Sequence, residues 1–229
     1  MSLDGLKIAG SLYWGGGLHA LNCSQMTSFS SDSLQTAGGW LDVRNSSSLR
    51  KVLFPRLNWI GLGLYLIDVP LLEQFELANG VVVGGLSELY TSDSGEIINT
   101  NLSEINGIFS GAPYDISISD NPRLQTVNLP TSQIRLQYNT SYTGNLYIVN
   151  NHPNITVNLP NLASVAGIIS IGNVSSLSIP SLALVNGSMS VVNASFPSLS
   201  APQLQTVIGD LNISGAFSRY SLSESETST

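Results

Sequence analysis

The chain is poor in the residue types that build most chemical sites. It has one cysteine, Cys23, among 229 residues, so no internal disulfide can form and no second thiol exists to share a metal. The two histidines, His19 and His152, lie far apart, and neither has a second His or Cys at ligand spacing. Charged residues make up 10% of the chain, against roughly a quarter in ordinary soluble proteins. Half of the eight Lys and Arg residues fall in one stretch, Arg44, Arg50, Lys51 and Arg56, and the formal net charge is −7. That balance argues against nucleic acid as a partner. No run of about 18 apolar residues occurs, so no transmembrane helix is expected. Gly-x-Ser-x-Gly, a P-loop and a dinucleotide-binding glycine pattern are all missing. No cofactor, metal site or catalytic residue is therefore assigned.

What the chain has is a repeat. Leu159-Pro160-Asn161-Leu162-Ala163-Ser164-Val165-Ala166-Gly167 aligns with Ile179-Pro180-Ser181-Leu182-Ala183-Leu184-Val185-Asn186-Gly187, and both align with Ala201-Pro202-Gln203-Leu204-Gln205-Thr206-Val207-Ile208-Gly209. The phrase is apolar-Pro-x-Leu-x-x-Val-x-Gly, and each Gly leads into a short alternating strand: Ile169/Ile171, Met189/Val191, Leu211/Ile213. Residues 33–43 match 203–213 almost position for position. Gly5-Leu6-Lys7-Ile8 reads as the same Gly-led strand, and Leu102 to Gly107 as the Leu-x-x-Val-x-Gly half. Alternation puts one set of side chains inward and one outward. The outward column reads Lys7, Asp42, Tyr65, Ser117, Tyr147, Ser170, Ser190, Asn212. A second strand column precedes each proline. With no helical periodicity and a period of 20–22 residues, the expected fold is all-β: a right-handed parallel β-helix, or solenoid, in which stacking supplies the core that no single unit can make.

Three stretches break the rhythm, roughly 9–31, 84–100 and 131–143, and read as loops thrown off one face. The expected organisation is an incomplete N-terminal repeat and loop over 1–31, the solenoid over 32–217, and a Ser/Thr-rich tail over 218–229 that resembles the start of a stalk. Neither end carries a signal peptide or an anchor signal, and the chain reads as a fragment of a longer protein. In place of charge the chain carries Asn and Ser. Nine Asn-x-Ser/Thr sequons occur, at Asn22, Asn45, Asn101, Asn139, Asn154, Asn173, Asn186, Asn193 and Asn212, none blocked by proline. Asn also suits solenoid turns, so two readings stand: turn residues, or glycan acceptors on a secreted protein kept soluble by sugar. Cys23 sits within one sequon, as a loop thiol or as half of a disulfide whose partner lies elsewhere.

The phrase Leu-Pro-x-Leu-x-x-Val-x-Gly-x-Leu-x-Ile, followed by Asn-x-Pro and another strand, resembles the receptor-L-domain repeats of fungal GPI-anchored cell-wall organisation proteins. Ile118 to Pro130 and Ile148 to Ile155 fit it closely, and the resemblance covers about 32–215. It implies a leucine-rich-repeat-like solenoid of receptor-L-domain type and a secreted, N-glycosylated surface protein with a role in wall integrity. The GPI anchor is implied for the full-length parent only. The implied partners are cell-wall polysaccharide or a cell-surface protein, and no catalytic motif carries over.

Two alternatives remain. Many β-helices degrade polysaccharide, which takes two carboxylates across one cleft; Glu73, Glu76, Glu88, Asp93 and Glu96 are the acids near one irregular stretch, and solvated loop carboxylates is the plainer reading. A receptor-type ectodomain is the other. For ligand contact the candidates are the aromatics: Tyr65 and Tyr147 in the outward column, Tyr138 and Tyr142 beside an insertion. They stack on sugar rings, or simply ladder with their neighbours. Trp14, Trp40 and Trp59 read as edge or core packing, and His152 as a turn residue.

Overall fold

The computed structural model describes residues 6, 8–9, 16–84, 94–111, 113–135, 144–196, 198–216 and 219–222. Among these there is no helix, and every strand pairs in parallel with its counterpart in the next coil of a solenoid. Each coil has three faces. The broad face is one nine-stranded sheet: Leu18–Leu21, Trp40–Arg44, Gly63–Val69, Ser94–Thr100, Asp115–Ser119, Leu146–Val149, Ile169–Gly172, Met189–Ala194 and Leu211–Gly215, in that order. We number the coils 1 to 9 by these strands. The second face is split into three sheets, over coils 1–3, 4–7 and 8–9. The third face is narrow, with two-residue strands such as Ser164–Val165 and Leu184–Val185.

The repeat phrase maps onto this geometry. Phe54-Pro55, Leu159-Pro160, Ile179-Pro180 and Ala201-Pro202 end the second face, and the N–H of Leu57, Leu162, Leu182 or Leu204 closes a four-residue turn onto the carbonyl before the proline. Proline thus occupies the second position of a β-turn, where its φ is preset and its missing N–H goes unused. The same device serves the other corner at Val69-Pro70 and Asn121-Pro122, closed by Leu72 and Leu124. The closing leucines point inward and are 5% exposed or less. Leu-x-x-Val therefore marks either corner. Leu102 to Gly107 belongs to the second face, where Glu104–Asn106 pairs with Thr126–Asn128, and does not repeat the narrow-face half. Likewise Ile8–Ala9 pairs with Thr36–Ala37 on the narrow face, so it is not a broad-face strand, and Lys7 lies outside the described residues.

One residue per coil turns the chain off the broad face in a left-handed conformation: Asn22, Asn45, Asp68, Asn99, Asp120, Asn150, Asn173 and Asn193, all with φ between 51° and 58°. Asn and Asp tolerate this region best among non-glycine residues. These corners are separated by 23, 23, 31, 21, 30, 23 and 20 residues, so two coils carry extra chain. Just inside the corner lies a buried polar ladder. Asn121 accepts from the Thr100 N–H at 2.9 Å and hydroxyl at 2.7 Å, donates to the Ile97 and Ser119 carbonyls, and meets Asn151, which itself donates to Ile118. Three stacked polar side chains are thereby satisfied inside an apolar core. Coil 4 packs differently from its neighbours. Gly95 takes an inward position, and a Cβ there would collide with the ring of Phe109, itself fully buried and at positive φ.

Candidate functional site

The broad face is the largest continuous surface of the solenoid, and its register sets its chemistry. Its middle outward column runs His19, Asp42, Tyr65, Glu96, Ser117, Tyr147, Ser170, Ser190, Asn212. From Asp42 onward the sequence reading of the column is right in order but omits Glu96, and at its start it has Lys7, which lies outside the described residues, where the sheet has His19. His19 and Glu96 sit on strands inside stretches that look irregular, Leu18–Leu21 and Ser94–Thr100. Over coils 5–9 the column is uncharged and rich in hydroxyls. Over coils 1–4 it carries all of its charge, on Asp42 and Glu96.

In that N-terminal half the side chains are tied together. The Arg44 guanidinium donates to Asp42 and lies over the Tyr65 ring, 4.6 Å from its centroid. Asp42 also faces His19 Nδ1 at 3.7 Å. Tyr65 is 8% exposed, and its hydroxyl hydrogen-bonds Ser94 at 2.8 Å. Burial is the main cause that raises its pKa above the usual tyrosine value; Glu96 and Asp42 add to this, while the Ser94 bond and Arg44 oppose it. Trp40 stands on the same strand as Asp42 and Arg44, partly exposed, with its ring 6.3 Å from the His19 imidazole. Trp59 is on the narrow face, in Trp59–Ile60, and Trp14 lies outside the described residues.

The four candidate tyrosines do not gather. Tyr65 and Tyr147 share a column but stand three strands apart, about 14 Å at the usual strand spacing; Tyr147 is half-buried and Tyr65 is covered by Arg44. Tyr138 and Tyr142 lie outside the described residues. The sequons divide by role. Asn22, Asn45, Asn173 and Asn193 are left-handed corner residues, and Asn193 donates to Asn173 at 3.2 Å. Asn154, Asn186 and Asn212 are exposed, Asn101 is partly exposed, and Asn139 lies outside the described residues. Among the described sequons, only Asn212 stands on the broad-face column.

Acids do meet in a cleft. Where the second face breaks between Gln74–Leu77 and Glu104–Asn106, a cavity of about 370 Å³ opens, floored by Leu53, Phe75 and Leu102 and rimmed by Glu73, Glu76 and Glu104. All three glutamates are exposed, and Glu73 is engaged by Arg50 at 3.3 Å. Glu96 is elsewhere, on the broad face, and Glu88 and Asp93 lie outside the described residues. No group of three His, Cys, Asp or Glu residues able to hold a metal ion occurs among the described residues. His152 accepts the Asn154 N–H at 3.2 Å within its turn. Cys23 is half-buried, with its backbone N–H on the Ser46 hydroxyl.

The fold and this face define an all-β parallel solenoid with one extended, polar sheet surface, and no helix among the described residues is long and apolar enough to cross a membrane. The chain is similar to the protein named ecm33 of Aspergillus fumigatus, 26% identical over 198 residues, covering 86% of this chain and 45% of the relative. It is also similar to a protein named cell surface GPI-anchored protein of Arthroderma benhamiae, 32% identical over 115 residues, covering 50% of this chain and 27% of the relative. The resemblance to fungal GPI-anchored surface proteins read from the repeats is thus met at modest identity. The chain spans less than half the length of either relative. No family model matches the chain, and no solved structure matches it.

Proposed function

We propose that this chain is the solenoid of a fungal cell-surface glycoprotein of the cell-wall organisation type, non-catalytic, whose broad face holds wall glycan. Similarity to the two fungal proteins supports the surface location. The observation that carries the contact role is the face itself: hydroxyls and amides repeated at every strand over coils 5–9, beside a fixed aromatic and charged cluster over coils 1–4. Hydroxyl-rich polymers are held by many modest hydrogen bonds, and such a row supplies them at a ~4.8 Å repeat. The GPI anchor belongs to the full-length parent. Co-sedimentation with insoluble neutral wall polysaccharide tests the reading. Retention that Ser117→Lys and Ser170→Lys on this face abolish supports it; retention unchanged by them refutes it.

A second reading has its own address. The cleft with Glu73, Glu76 and Glu104 is where a polysaccharide hydrolase would keep its carboxylates. If it is catalytic, soluble glucan is cleaved and Glu76→Gln with Glu104→Gln stops the cleavage. The non-catalytic reading predicts no cleavage by either protein.

A further inference from the structure

Trp40 occupies an unusual slot on the broad face. In register it lies beside Gly63 in coil 3, and on the coil 1 side a Cβ on Gly17 would run into the Trp40 backbone carbonyl. Neither neighbour in its column therefore carries a side chain, and the indole leans toward His19 with its plane 48° from the imidazole. An aromatic face so placed is not filled in by the sheet around it. Two and four strand positions along, Asp42 and Arg44 are locked to each other, and Arg44 to Tyr65, so their geometry is set before any ligand arrives.

We infer that Trp40, Asp42 and Arg44, with His19 at the margin, form a subsite for one neutral hexopyranose of a glycan chain; this rests on the glycan-contact reading above. The ring's C–H face stacks on the indole, and neighbouring hydroxyls pair with the groups beside it. A carboxylate accepts from hydroxyls, while a guanidinium donates in a fixed planar fork. Charge selects a neutral sugar over an anionic one. Arg44 is paired with Asp42, Glu96 stands on the far side of Tyr65 on the same face, and the chain as a whole is at −7, so a uronate or phosphorylated residue meets no net positive field. Tyr65 is a positioning residue here: its buried ring supports the guanidinium.

Titration of the full chain with a neutral glucohexaose, a mannohexaose and an oligogalacturonate tests this, followed by calorimetry. The expected result is binding of a neutral hexaose, weakened about tenfold or more by Trp40→Ala and by Arg44→Lys, and kept within a few-fold by Trp40→Phe. Gln203→Ala, exposed in the turn that ends the second face, stays near wild type. Unchanged unfolding midpoints for the Trp40→Phe and Arg44→Lys proteins separate lost contact from lost fold. If a neutral hexaose binds but neither Trp40→Ala nor Arg44→Lys weakens it, the subsite is wrong while the glycan-contact reading stands. Preference for the oligogalacturonate overturns the neutral-sugar assignment. If none of the three binds, both readings fall.

Discussion

Tyr65 shows how much one residue of this face is bound to its surroundings. Its hydroxyl is held by Ser94, its ring is covered by Arg44, and burial raises its pKa. The folded chain therefore keeps this proton to higher pH than the unfolded chain, where tyrosine titrates near 10. The stabilisation is fully present below about pH 10 and is lost as pH rises through the folded value. Urea unfolding between pH 9 and 11 is expected to show this loss, and Tyr65→Phe to flatten it. An equal loss in the variant would assign it to other groups. Inside the core, Asn121 is held on every side by polar partners. Asn121→Leu strands the Thr100 N–H and hydroxyl, at a cost of about 3 kcal/mol or more by denaturant unfolding. Gly95→Val forces the Phe109 ring out of its slot, and overpacking of this kind costs about 1–3 kcal/mol.

Among elements, the corner column separates two reasons for an asparagine. A left-handed corner selects Asn or Asp whatever follows it, so Asn22, Asn45, Asn173 and Asn193 have a structural reason to exist before any sugar is considered. Asn45→Gly keeps the φ of 51° easy while deleting the acceptor, so stability is expected to hold as any glycan mass at that site disappears. Asn150→Val, at a corner that is no sequon, is expected to cost about 1–2 kcal/mol by thermal unfolding. The corners also show what was legible in the sequence. The Pro-x-Leu-x-x-Val-x-Gly phrase reveals turn, narrow strand and broad strand together, because the proline and the inward leucine recur at fixed offsets. Where the phrase lacks its proline, as at Leu102, it names a corner without saying which one, and there the second face reads as the narrow one. Ile8–Ala9 is too short a strand to show any alternation. His19 and Glu96 are not legible because their strands, Leu18–Leu21 and Ser94–Thr100, lie inside stretches without the repeat phrase. The setting of Trp40 is not legible in the sequence because the glycines flanking it, Gly17 and Gly63, lie 23 residues away on either side and become neighbours only when the coils stack.

For the whole molecule, the stack makes a face whose middle column is chemically uneven along its length: charged over coils 1–4, hydroxylated and uncharged over coils 5–9. The sequons lie mainly off that face, at its corner and on the other sides. Sugars attached there would leave the broad sheet bare for a partner and would cover a surface short of charge on a chain with 10% charged residues. The account stands on that extracellular, sugar-bearing state. It is tested most directly by expressing the chain behind a signal peptide in a eukaryotic secretory host and mapping each sequon by mass before and after glycosidase treatment. The predicted result is a secreted protein that loses mass on treatment, with sugar at exposed sites such as Asn154 and Asn186. A secreted, folded protein with every sequon unmodified would contradict it, leaving the asparagines as corner and turn residues alone.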